Sequence, residues 1–171
     1  AADRAKHPFD EIETTTLDYL PQAWTEPDGA LQDTVYEAYD LQAIRIDGAA
    51  EHPTALVQSA AMASVPPPVP TYRPLLPKSI VADGLLSAPQ LESVIYAGNA
   101  HQTHLKGWFK RGEIEGQLMA AAEEDEGAFR LRKGWFLGDG TGCGKGRQVA
   151  GIILDNWLQG RRRAVWVSKS D

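Results

Sequence analysis

The apolar positions of the chain change period around a run of alternating glycines. Trp135, Phe136 and Leu137 form an apolar run too short for a helix, which predicts a short buried strand. From Arg147 onward Val149, Ile153 and Trp157 recur at helical spacing, with Ala150, Leu154 and Leu158 beside them and Gly160 placed to end the helix. The β-rich run Ala164-Val-Trp-Val-Ser168 then predicts a second strand. Strand, loop, helix and strand within about 35 residues amount to a right-handed βαβ unit of a parallel sheet.

Upstream the pattern is weaker. Residues 1–35 are acidic and broken by Pro8, Pro21 and Pro27-Asp-Gly29, so they predict a weakly structured segment. Leu41, Ile44 and Ile46 suit a strand closed by the turn Asp47-Gly48, and residues 53–65 suit a short helix. Six prolines between Val65 and Pro77 force an extended strap, partly polyproline II. A helix then starts at Ser87, with Pro89 in its first turn and Gln90 three residues after the cap, and Leu91, Val94, Ile95 and Ala97 on its apolar side. Residues 105–116 are turn-rich, 117–122 predict a short helical run, and Glu123-Glu-Asp-Glu126 a solvated loop. The resulting division is 1–35, then an extension over 36–85 containing the strap at 65–77, then 86–171 with the glycine loop at 138–146.

Charge sharpens this picture. The formal net charge of −6 hides an asymmetry: residues 128–171 hold nine Lys or Arg against three Asp, and residues 1–127 hold eight against twenty acids. The basic end is also the glycine-loop end, as anion binding requires. The single cysteine excludes an internal disulfide framework and suits a reducing compartment, so the cytoplasm is expected. No apolar run approaches the length of a membrane span. With no initiator Met and an end just after a predicted strand, the chain is expected to be a piece of a longer one.

Gly138, Gly140, Gly142 and Gly144 allow positive φ and close backbone approach to a ligand, and the helix behind them adds N–H groups and the positive end of its dipole. Lys145 supplies a charge, so a phosphate is the expected ligand. The full P-loop pattern is not met: Asp139 stands at the first glycine position and Gly146 at the hydroxyl position that ordinarily ligates Mg²⁺. Any contact to the ion would come from Thr141 or Ser168 through water. The rival reading is a methyltransferase binding S-adenosylmethionine on Gly140-Thr-Gly-Cys-Gly144, although that cofactor would leave Lys145 and Arg147 without an anion. A scaffold with a degenerate loop is a third reading. A ligand-free turn would need only one or two glycines, since each raises the entropy cost of folding. Gln90 has two readings, a helix cap or an amide that reads an adenine edge. His101 and His104 lie three apart, but a zinc site needs more ligands than they offer.

Gly138-Asp-Gly-Thr-Gly-Cys-Gly-Lys-Gly-Arg147, with Ala150-Gly-Ile-Ile-Leu-Asp-Asn-Trp157 and Ala164-Val-Trp-Val-Ser-Lys-Ser170, resembles the strawberry notch family of helicase-like P-loop NTPases of superfamily two. Leu76-Pro77, Leu86-Ser-x-x-Gln-Leu-Glu92 and Tyr96-Ala-x-x-x-His101 match as well, so the resemblance covers 36–171. In that family a glycine after the lysine is usual. The resemblance implies an α/β fold, the first part of a RecA-like domain, that binds ATP and Mg²⁺. Lys145 would meet the β and γ phosphates within a loop of Asp139, Gly140, Thr141, Gly142, Cys143, Gly144, Gly146 and Arg147, and Gln90 would read the adenine. It also implies nucleic-acid contact near Ser168, Lys169 and Ser170 in the intact protein. The rest of the motor domain and a second RecA-like domain would lie in the same polypeptide. Neither the Asp-Glu pair nor the arginine finger of such motors can be placed here, so the piece alone is expected to be inactive. A bacterial, phage or plasmid source is the expectation that accompanies the resemblance.

Overall fold

The computed structural model describes residues 11–25 and 35–169. Expectations for 1–10, 26–34, Ser170 and Asp171 lie outside the described residues. The first elements are short: β1 (Thr14–Thr16), β2 (Leu20–Pro21), β3 (Tyr36–Ala38), β4 (Ile44–Arg45) and β5 (Val57–Ser59), followed by α1 (Ala60–Ala63). Next come β6 (Leu75–Pro77), α2 (Lys78–Ala82), α3 (Ala88–His101), β7 (Trp108–Arg111), β8 (Leu118–Ala121) and α4 (Lys145–Leu158). All strands pair antiparallel and two by two: β1 with β6, β2 with β4, β3 with β5 and β7 with β8.

The parallel βαβ unit is therefore not formed among the described residues. Residues 135–137 and 164–168 lie in no strand, and Phe136, Val165 and Val167 are 88%, 90% and 89% exposed. A strand must satisfy its N–H and C=O groups on a neighbour, and no described strand pairs with either run. Two further expectations change for a related reason. Residues 118–121 form the second arm of a hairpin rather than a helix, because each pairs with a residue of β7, from Trp108 with Ala121 to Arg111 with Leu118. The expected helix over 53–65 shrinks to α1, because Val57, Gln58 and Ser59 pair with β3.

The core gathers Leu17 and Tyr19 with Ala43, Ile44, Ile46, Leu76 and Leu86, closed by Leu91, Val94 and Ile95 of α3. Leu17 and Tyr19 come from the segment expected to be weakly structured. The Tyr19 hydroxyl, at the edge of this core, donates to the carbonyls of Pro70 and Tyr72 at 2.9 and 3.0 Å. The Tyr96 hydroxyl donates to Pro68 O at 2.9 Å. Residues 66–74 form neither helix nor strand, and side chains from elsewhere thus satisfy backbone groups that the prolines leave without a ladder.

Helix α4 packs on α3 through Gly151, where a Cβ would meet Leu86 and Val94 methyl carbons at 3.0 Å. Its buried positions are Gln148, Gly151 and Asp155, not the expected stripe of Val149, Ile153 and Trp157. The inward face is polar because it holds neighbouring backbone. Asp155 accepts from the Tyr72 hydroxyl at 2.6 Å and from the Leu75 N–H at 2.8 Å, fixing the strap to the helix. Burial pushes the Asp155 carboxyl pKa up, and these bonds oppose the shift. Tyr72→Phe should remove about 2 kcal/mol of stability, the contribution of a hydrogen bond to a charged acceptor. Urea unfolding of the variant checks this, and an unchanged midpoint would show that Tyr72 does not hold the strap.

Candidate nucleotide-binding site

The glycine loop sits between the ends of α3 and α4. Gly144 caps α4 with φ 76°, ψ 36°, the left-handed conformation that a Cβ disfavours, and a Cβ there would also overlap the Gln90 amide. Helix α4 begins at Lys145, two residues before the sequence pattern suggests. The N–H groups of Thr141, Gly142, Cys143 and Gly144 make no backbone hydrogen bond among the described residues. Those of Lys145 and Gly146 lie in the first turn, where a helix offers no acceptor. Lys145 Nζ is exposed and donates to the carbonyls of Asp139 and Gly140 at 2.9 and 2.7 Å. Cation, loop and helix start thus converge, and the donor set fits an anion. Around Gly146 there is open space, so packing does not demand a glycine there.

Gln90 is 3% exposed. Its Oε1 accepts from the Ser87 N–H at 3.1 Å, and its Nε2 donates to Cys143 O at 3.2 Å. The cap reading is what the structure contains, extended by a tether to the loop. In the ligand-free chain the buried amide thus bonds the helix cap through Oε1 and the loop through Nε2. Arg147 is exposed on the first turn of α4, and Thr141 is exposed in the loop. Ser168 and Lys169 are exposed on the unpaired run after α4, and Ser170 lies outside the described residues.

Sequence reasoning missed Gln148, Glu92 and its partner Tyr39. Gln148, 1% exposed, donates from Nε2 to Asp139 Oδ2 at 2.7 Å and to Cys143 O at 3.0 Å. Its only signal was a polar residue one position off the apolar stripe. Glu92, 7% exposed, accepts from the Tyr39 hydroxyl. Burial pushes the Glu92 carboxyl up to about 7; the Tyr39 bond opposes the shift and the Asp139 carboxylate adds to it. Tyr39, Glu92 and Asp139 border a cavity of about 500 Å³ beside the start of the loop, with Tyr96 and Trp135 on its wall. The two rings stack with centroids 6.0 Å apart and planes 7° apart.

The described residues hold no group of three or more His, Cys, Asp or Glu able to bind a metal. No helix among them is long and apolar enough to cross a membrane. Burial, Arg161 and Arg132 lower the pKa of His101.

Comparison with known proteins follows the same motif. Residues 51–171 match the family described as P-loop containing NTP hydrolase pore-1. The chain is 40% identical over 119 residues to a strawberry notch homolog of Caenorhabditis elegans, covering 70% of this chain and 5% of that protein. Identity to Protein strawberry notch of Drosophila melanogaster is 39% over 121 residues, 71% of this chain and 6% of the relative. For Protein FORGETTER 1 of Arabidopsis thaliana it is 35% over 117 residues, 68% and 7%. The chain thus spans a small part of the curated relatives it matches. No solved structure matches it. These worm, fly and plant relatives, with others from vertebrates, correct the expectation of a cytoplasmic protein from a bacterium, phage or plasmid. The family model covers residues 51–171 and the worm and fly relatives align over 70% and 71% of the chain, and the chain belongs to the P-loop NTP hydrolase pore-1 family, strawberry notch-like in sequence.

Proposed function

We propose that this chain is the ATP-binding segment of a helicase-like NTP hydrolase of the strawberry notch type. The observation that carries the reading is the run of unpartnered N–H groups over 141–146 at the start of α4, with the Lys145 ammonium resting on the same loop. A triphosphate supplies the acceptors this donor set lacks. Lys145 would exchange two carbonyls for β and γ phosphate oxygens, and Arg147 stands one helix position beyond Gly146 to add positive charge. Magnesium bound with the nucleotide neutralises charge on the phosphates. Gly146 offers it no hydroxyl, which leaves Thr141, or Ser168 through water, to meet it.

The intact protein is proposed to act on or alongside nucleic acid, with Ser168, Lys169 and Ser170 at the contact. The remaining part of a RecA-like domain and a second such domain would lie in the same polypeptide. In this reading residues 135–137 and 164–168, which carry strand-like sequence and no partner here, become parallel strands of the completed sheet. Hydrolysis belongs to that complete assembly, and steady-state ATP turnover by these 171 residues alone would overturn the assignment.

The test is thermal unfolding of the chain with rising ATP and Mg²⁺, set against S-adenosylmethionine. A ligand that binds only the folded state stabilises it by about 2.7 kcal/mol at a hundred times its dissociation constant. A midpoint that rises with ATP and stays flat with S-adenosylmethionine supports the proposal. The reverse would make the loop a methyltransferase site.

A further inference from the structure

Two buried amides from two different helices converge on one loop carbonyl. Gln148 of α4 and Gln90 of α3 each donate from Nε2 to Cys143 O, at 3.0 and 3.2 Å. The second hydrogen of Gln148 Nε2 goes to Asp139 Oδ2 at 2.7 Å. One side chain therefore bonds both the start and the end of the loop. The remaining Gln148 atom, Oε1, is buried without a hydrogen-bond partner, so the site leaves one polar atom unsatisfied while keeping the two donations. That arrangement costs free energy that a leucine of similar shape would avoid.

We propose that Gln148 is a positioning residue for the nucleotide loop, acting through the Cys143–Gly144 peptide. A trans peptide is planar, with its C=O and N–H pointing in opposite directions. Holding the Cys143 carbonyl against the buried amides turns the Gly144 N–H the other way, to the face where a phosphate would meet the helix start. Gln90 of α3 holds the same carbonyl, and Asp139 keeps the Gln148 amide in register. Gly144 is required because a side chain would displace Gln90. This inference rests on the ATP-binding reading and adds to it a residue that never touches the ligand.

The experiment uses the 171-residue chain with ATP and Mg²⁺ as the probe. Gln148→Leu keeps the packing and removes the donor, and Asp139→Ala removes the acceptor that holds it. Asp139→Asn keeps an acceptor oxygen for Gln148. The expected result is that Gln148→Leu and Asp139→Ala each weaken ATP about tenfold, the scale of one oriented hydrogen bond. The double variant should be no weaker than either single one, and Asp139→Asn, which keeps the acceptor, should bind ATP more tightly than Asp139→Ala. Additive losses, or Asp139→Asn as weak as Asp139→Ala, would overturn the proposal. A second readout needs no nucleotide. Cys143 is the sole cysteine of the chain and half-buried in the loop, so its rate of reaction with an aromatic disulfide reports loop geometry. Gln148→Leu should speed that reaction severalfold in the ligand-free chain. An unchanged rate would overturn the staple even if the parent chain binds ATP. A raised rate in a chain that binds no ATP would retain the staple and sink the ATP reading instead.

Discussion

Lys145→Ala should weaken ATP binding by about a hundredfold, the scale of losing charge-assisted hydrogen bonds to an anion, while leaving the fold unchanged. Lys145 Nζ is exposed, and its recorded partners are two loop carbonyls that water can satisfy equally well. Its role in the ligand-free chain is therefore small, and nearly all of its effect should appear in the bound state. The measurement is the nucleotide dissociation constant of the variant beside its unliganded thermal midpoint. A midpoint within a degree or two of the parent, together with lost binding, is the expected pair. ATP binding that survives the substitution would remove the lysine from the phosphate site and with it the central claim of the proposed function.

The second large effect concerns pH. Glu92 is buried against Tyr39 in the wall of the cavity beside the loop, and its carboxyl titrates near pH 7 in the fold against an ordinary value of 4.5. Between those values the folded state holds a proton that the unfolded state has released. The stabilisation from this group is thus fully present below about pH 4.5 and is lost as pH rises through 7. The difference is about 3 kcal/mol between pH 4 and pH 8. Asp155, also raised by burial, contributes with the same sign from its own ordinary value upward. Glu92→Gln keeps an acceptor for the Tyr39 hydroxyl and removes the charge. Its unfolding free energy should exceed the parent's at pH 8 by up to that amount and converge with it at pH 4. Parallel pH curves for the two proteins would show that Glu92 enters the fold ionised.

Much of the site was legible before any coordinates. The glycine loop, Lys145 ahead of a helix and the Ser87–Gln90 cap signal are local patterns, in which neighbours along the chain set the backbone path. The helix over 88–101 was equally clear, because its cap and apolar spacing agree. The hairpin of β7 and β8 was not. Residues 117–122 carry a helix-compatible composition, and pairing with a segment about ten residues upstream overrode it. Leu17 and Tyr19 were hidden too, since a short apolar run in an acidic, proline-broken segment shows no period of its own.

Helix α4 shows where the boundary lies. Its sequence fixed the existence of the helix and the family of its loop, because both depend on spacing within about a dozen residues. Its orientation was decided by tertiary structure. The apolar stripe of Val149, Ile153 and Trp157 is only partly covered, and Gln148, Gly151 and Asp155 face inward instead. They do so because Cys143 O, the α3 surface and the Leu75 N–H lie on that side and need, in turn, a donor, close approach and an acceptor. The tether made by Gln90 was hidden for the same reason: its amide meets a loop carbonyl 53 residues away. Periodicity records which residues can be buried, whereas the identity of the group waiting across the interface depends on contacts distant in the chain, which only the folded structure brings together.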